Sequence, residues 1–152
     1  MSRYSIVLAD DHPLIRQGLR RIIDGCDDLK VVGEAGGGLE LLELLNAVIP
    51  DIVILDISMS NLSGIEAVRE IRTKYPEIKS LILSMHREYL HQALSAGADG
   101  YLLKEDAERY LFSAIEDIRK GKTFLSPSLR EEMILDRTSL YEARGRSAKK
   151  RL

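Results

Sequence analysis

Five side chains in this sequence stand at or just after the ends of short apolar runs. Asp10 and Asp11 follow Tyr4-Ser5-Ile6-Val7-Leu8-Ala9, and Asp56 closes Ile52-Val53-Ile54-Leu55. Ser84 closes Ser80-Leu81-Ile82-Leu83, and Lys104 closes Gly100-Tyr101-Leu102-Leu103. An ionised carboxylate inside a strand buried on both faces is costly, so Asp56 belongs at the strand's last residue, where a loop opens. There it is a metal ligand, a nucleophile or a helix cap. Three carboxylates brought together would repel and resist ionising unless a cation shared the site. A hard divalent cation such as Mg²⁺ takes oxygen ligands in octahedral geometry and keeps some waters. A metal with an ammonium beside it also gives phosphoryl charge a place to sit. Asp56 could then act as a nucleophile and form an aspartyl phosphate.

Taken singly, each of these residues has a plainer reading. Asp10 or Asp11 alone is more often a helix N-cap, and Ser84 or Lys104 alone is an ordinary strand-end residue. Gly36-Gly37-Gly38 is a turn, because no phosphate-binding glycine pattern surrounds it. His12, His86 and His91 lack metal-ligand spacing and read as surface or loop residues, and Cys26 as packing. The weight comes from the elements that would collect the polar groups in one place.

Those elements alternate. Strands are expected at 4–9, 29–35, from 52 to Asp56, at 80–84 and at 100–104. Helices are expected from Pro13 (apolar at Leu14, Ile15, Leu19, Ile22 and Ile23), with the Asp/His cluster before it supplying caps, and from Leu39 to about Val48. Three more follow: from Ser63-Gly64 to Tyr75-Pro76, from about Glu88 to Ala96, and from about Ala107 to Lys120. Strands alternating with helices imply a parallel sheet covered on both faces, an α/β doubly wound fold with five strands. In such a sheet all strand C-termini share one edge, and ligands bind where the strand order reverses. With the order 2-1-3-4-5, the three carboxylates meet there beside a hydroxyl and an ammonium. Past Gly121 the pattern changes: 124–128 reads as a turn or linker, 128–142 as a short helix of poor period, and 144–152 as disordered.

Length and composition fit one domain of ordinary size plus a tail: 152 residues, 45% hydrophobic and 30% charged. No apolar run approaches the ~20 residues that span a bilayer, and the N-terminus carries no signal-peptide pattern. A single cysteine excludes a disulfide framework. These points favour the cytoplasm and no membrane contact. The net charge of −2 hides an asymmetry: from Arg137 onward six Lys/Arg face one Glu, leaving residues 1–136 at about −7.

The stretches Ala9-Asp10-Asp11-His12-Pro13-Leu14-Ile15-Arg16-Gln17-Gly18-Leu19 and Ala96-Gly97-Ala98-Asp99-Gly100-Tyr101-Leu102-Leu103-Lys104 closely resemble the receiver domain of two-component response regulators. The likeness is to receivers of the class that carries a C-terminal helix-turn-helix (LuxR-type) DNA-binding domain. It implies the flavodoxin-like, CheY-like order 2-1-3-4-5, with a receiver over 1–122 and a linker or tail over 123–152. It also implies Asp56 as phosphoacceptor, Asp10 and Asp11 with Asp56 as the Mg²⁺ site, and the Ser58 carbonyl as a backbone ligand. By the same resemblance, Lys104 pairs with the phosphoryl group, and Ser84 and Tyr101 are the switch residues. A sensor histidine kinase is the expected donor, with a homodimer on phosphorylation and DNA reached through the missing output domain.

Two departures stand out. Ser60 occupies the position after Met59 where the family commonly has Pro, and the chain stops about where an output domain would begin. The expectation is a truncated form of a longer regulator or a stand-alone receiver. Weighed against this, a phosphatase of the haloacid-dehalogenase type would need a second Asp at position 58, which is Ser. A pseudo-receiver serving only as an interaction module is at odds with the complete set Asp10, Asp11, Asp56, Ser84 and Lys104. The basic tail as a direct DNA binder amounts to weak, nonspecific attraction.

Overall fold

The computed structural model describes residues 3–133. Six parallel strands form one sheet in the order β2-β1-β3-β4-β5-β6. They are β1 (Tyr4–Ala9), β2 (Leu29–Ala35), β3 (Ile52–Asp56), β4 (Lys79–Ser84), β5 (Gly100–Leu103) and β6 (Phe124–Leu125). The helices are α1 (Pro13–Asp24), α2 (Gly38–Leu44), α3 (Gly64–Lys74), α4 (Leu90–Ala96) and α5 (Ala107–Arg119).

The continuous apolar character of β3 follows from its place in the middle of the sheet. Val53 and Leu55 face one apolar cluster, with Leu41, Ala67, Val68, Ile71, Leu90 and Ala93 of α2, α3 and α4. Ile52 and Ile54 face the other, with Leu19 and Ile23 of α1 and Leu111, Ala114, Ile115 and Ile118 of α5. Alternate side chains of one strand therefore serve two cores, and no position is left for a polar residue until Asp56.

The sixth strand corrects the five-strand expectation. Phe124 and Leu125 pair with Gly100 and Tyr101, where the sequence suggested a turn. Two residues are too few to show a period, and the adjoining Ser126-Pro127 carries the turn signal. Residues 127–133 are helical, in keeping with the start of the expected 128–142 helix. The rest of that helix, and the expected disorder of 144–152, lie outside the described residues. The α1 cap is a second correction. His12 is the N-cap residue and makes no side-chain cap bond, so Pro13 at the first helical position opens the helix without help from the Asp/His cluster. Boundaries shift slightly elsewhere: α2 ends at Leu44, α4 starts at Leu90, and Lys104 opens a 3-10 turn (Lys104–Asp106) just past β5.

Candidate functional site

The C-terminal ends of β1, β3, β4 and β5 bring Asp10, Asp56, Ser84 and Lys104 to one edge of the sheet. Asp10 and Asp56 are 2% and 3% exposed, so both carboxylates are held largely out of water. Carboxylate oxygens of Asp10, Asp11 and Asp56 and a ring nitrogen of His12 lie within 4.8 Å of one another. Lys104 Nζ reaches across, 3.4 Å from Asp56 Oδ1 and 3.6 Å from Asp10 Oδ2.

One lysine cannot compensate three carboxylates. Asp10 Oδ2 and Asp56 Oδ2 are buried oxygens without a hydrogen-bond partner, and the buried Asp11 Oδ1 has only the His12 ring nitrogen beside it. Buried polar atoms are normally partnered, so three carboxylates clustered this closely, two of them with orphan oxygens, fit a cation with oxygen ligands. Burial and the charge of Asp10 push the Asp56 carboxyl above its ordinary value of 3.8, with Lys104 and the Ser58 N–H opposing them. The Ser58 N–H lies 3.4 Å from Asp56 Oδ1, a long contact. The Ser58 side chain faces solvent.

The loop after β3 is fixed from below. Ser63 caps α3, its Oγ accepting from the Glu66 N–H at 3.2 Å, and the Gly64 N–H donates to the Ile57 carbonyl at 3.0 Å. A Cβ on Gly64 would lie 2.4 Å from the Asp56 carbonyl oxygen, so only glycine lets α3 start this close behind Asp56. Asn61 takes a left-handed conformation (φ 72°), which asparagine tolerates better than most residues.

On the other flank, Ser84 and Tyr101 are fully buried. Ser84 Oγ accepts the His86 N–H at 2.9 Å, and the Tyr101 hydroxyl donates to the His86 carbonyl. Burial raises the Tyr101 pKa, with the Ser84 hydroxyl drawing it back. Ser84, Tyr101 and the loop after β4 thus form one hydrogen-bonded group beside the acidic cluster.

Two contributors were not legible in the sequence. His12, read as a surface residue, is exposed, yet its Nδ1 lies 2.9 Å from Asp10 Oδ1 and 3.0 Å from Asp11 Oδ1. Arg16 donates to the Asp10 carbonyl and sets its Nε 3.5 Å from Glu34 Oε1, tying α1 and β2 to the end of β1. Its place at the first turn of the helix after the acidic pair was the available hint. Neither Asp10 nor Asp11 caps α1; instead Asp10 Oδ1 accepts the His12 N–H at 2.8 Å.

This arrangement agrees with comparisons against known proteins. Residues 6–116 match the response regulator receiver domain family, and the chain belongs to that family. It is 34% identical to the transcriptional regulatory protein DegU of Brevibacillus brevis, over 88% of this chain and 57% of that protein. It is 36% identical to the nitrate/nitrite response regulator protein NarL of Escherichia coli (strain K12), over 82% of this chain and 59% of that one. The chain thus spans a little over half the length of these relatives. Among solved structures, a LuxR-family two-component response regulator from Aurantimonas sp. SI85-9A1 superimposes with a TM-score of 0.85 at 37% identity, covering 90% of this chain and 99% of that one. The isolated receiver domain of RcsB from Salmonella enterica serovar Typhimurium, determined with the phosphomimetic BeF3⁻, gives a TM-score of 0.79 at 27% identity, covering 86% and 98%.

Proposed function

We propose that this chain is the phosphoryl-accepting switch of a two-component regulator, with Asp56 as the acceptor. The observation that carries this reading is the cluster of Asp10, Asp11 and Asp56 carboxylates within 4.8 Å of one another, with Asp10 Oδ2 and Asp56 Oδ2 buried and without a hydrogen bond and Lys104 beside Asp10 and Asp56. Asp10, Asp11 and Asp56, with the Ser58 carbonyl, would hold Mg²⁺, and bound Mg²⁺ supplies charge neutralisation for phosphoryl oxygens. A carboxylate oxygen of Asp56 attacks phosphorus in line. The bond from phosphorus to the donor's histidine nitrogen breaks, and the released imidazole takes up a proton. Lys104 pairs with the transferred group, whose charge of about −2 exceeds that of the carboxylate it replaces. Ser84 and then Tyr101 follow it, and the loop between β4 and α4 carries the change outward.

The donor is a sensor histidine kinase or a small acyl phosphate. Residues 1–122 act as the receiver and 123–152 as a linker, and the output is control of transcription through dimerisation and a DNA-binding domain of the LuxR type. The transcriptional regulators among its relatives support that output. A structure of two RcsB dimers bound to two parallel DNAs supports dimerisation and DNA contact. Among the described residues no helix is long and apolar enough to cross a membrane, and we place the protein in the cytoplasm. The protein switches; it is not a turnover enzyme, and the phosphoryl group leaves by slow self-catalysed hydrolysis.

Intact mass after incubation with acetyl phosphate tests the reading: one phosphoryl group should be gained, and only with Mg²⁺ present. The absence of any gain, from acetyl phosphate or from kinase, would leave the interaction-module reading instead. A second expected outcome concerns Lys104. Lys104→Ala removes a charge-assisted contact of a kind worth about 1.5–3 kcal/mol. Phosphoryl occupancy at limiting acetyl phosphate should fall at least about tenfold on that scale, with Mg²⁺ binding retained, as read by mass and by metal titration.

A further inference from the structure

Residues 124–133 are bound into the fold by more than the two-residue strand. Ser126 is fully buried: its N–H donates to the Tyr101 carbonyl at 3.0 Å, and its Oγ accepts from the Leu103 N–H at 2.8 Å. Leu129 is also fully buried and belongs to the same apolar cluster as Leu90, Tyr101 and Leu103, with Leu125 and Met133 packed against it. Two polar ties then run back to the loop after β4. Arg87 Nη2 donates to Ser128 Oγ at 2.9 Å, and Arg87 Nη1 lies 2.8 Å from Glu132 Oε1.

The loop therefore carries three attachments within four residues. Ser84 ends β4 next to Leu83, the register partner of Asp56, the His86 carbonyl holds the Tyr101 hydroxyl, and Arg87 holds the segment 128–132. An exposed ion pair such as Arg87–Glu132 adds little stability by itself. Its position matters more, because a shift of Ser84 or Tyr101 moves the backbone that bears Arg87. Segments with two packed arrangements respond to such shifts as units rather than by continuous deformation.

We infer that residues 126–133 form a regulatory strap whose docking is linked to phosphorylation of Asp56 through Tyr101 and Arg87. The inference rests on the receiver chemistry proposed above. The strap is docked in the arrangement in which Tyr101 is turned in, and Leu129 closes the cluster that contains that ring. A phosphoryl group that draws Ser84 and holds Tyr101 inward favours the docked strap. By reciprocity, a docked strap favours the phosphorylated form to the same degree. The docking of residues 126–133 thereby becomes a readout of the acidic site.

The test uses the full chain, with Mg²⁺, beryllium chloride and fluoride as a phosphoryl mimic, and amide hydrogen exchange over 124–133. Beryllofluoride should raise protection of this segment about fivefold, the lower end of ordinary coupling between two sites. Glu132→Gln and Ser128→Ala alter a half-buried and an exposed surface group and should not disturb folding, and each should weaken beryllofluoride affinity toward that same factor. Glu77→Gln, at the opposite end of the sheet, should leave both readouts unchanged. If beryllofluoride binds while the segment's protection stays constant or falls, or while Glu132→Gln binds it as tightly as the parent, the linkage is wrong and the receiver reading survives. If neither beryllofluoride nor acetyl phosphate acts at Asp56, the receiver reading fails and takes the linkage with it.

Discussion

Asp56→Asn should abolish phosphoryl uptake and, in the absence of metal, make the protein more stable. The first effect is loss of the attacking oxygen: an amide cannot form the mixed anhydride, so no mass gain is expected from acetyl phosphate. The second follows from the raised pKa of Asp56. A carboxyl whose folded value exceeds its unfolded one binds more protons when folded. Its contribution to stability therefore falls as pH rises between the two values. The penalty is fully present above the folded value and absent below the ordinary value of 3.8. Asn carries no charge to desolvate or to repel Asp10, so the variant should be the more stable of the two at neutral pH. The gain should vanish on acidification, and added Mg²⁺ should stabilise the parent far more than the variant. Denaturant titrations with and without chelator, repeated across the acid range, would read all three trends. Equal stability of the two proteins at neutral pH would mean that the acidic cluster stores no repulsion.

Gly64→Ala should cost about 3 kcal/mol, near the upper end of ordinary overpacking. The added methyl would meet the Asp56 carbonyl oxygen at 2.4 Å and Ile57 Cα at 2.8 Å. Both are backbone atoms, so no flexible side-chain end can swing aside. Either α3 retreats, taking with it the Gly64 bond to the Ile57 carbonyl, or the end of β3 moves. Each route displaces the acceptor, so phosphoryl uptake should slow even in molecules that remain folded. Chemical denaturation gives the first effect and the initial rate of mass gain gives the second. Wild-type stability with wild-type uptake would show that this junction yields easily.

The sequence made some parts of this architecture plain and left others hidden, for physical reasons that differ. Ile52 to Leu55 reads as a strand buried on both faces because no polar residue interrupts it, and the two cores meeting on it explain why. The convergence of Asp10, Asp56, Ser84 and Lys104 was also legible, since a parallel sheet puts all its strand ends on one edge. His12 and Arg16 were opaque: their contacts depend on where the turn before Pro13 directs each side chain, which no residue spacing records. The cap of α1 was misread because Asp next to a helix start usually caps it, whereas here Asp10 turns its oxygen toward the His12 N–H. Phe124–Leu125 was missed because its pairing is long-range and its own length too short for any pattern.

That short pairing also decides what a neighbouring molecule can do to the border of the sheet. Without residues 124–126, β5 would present open donors and acceptors, a template on which another chain could add a strand. Phe124 N–H instead donates to the Asp99 carbonyl, Ser126 N–H to the Tyr101 carbonyl, and the Leu103 N–H is taken by Ser126 Oγ. The new border is only two residues long and is followed by Pro127, which has no N–H to offer. Residues 124–127 thus blunt an aggregation-prone edge on this side of the molecule.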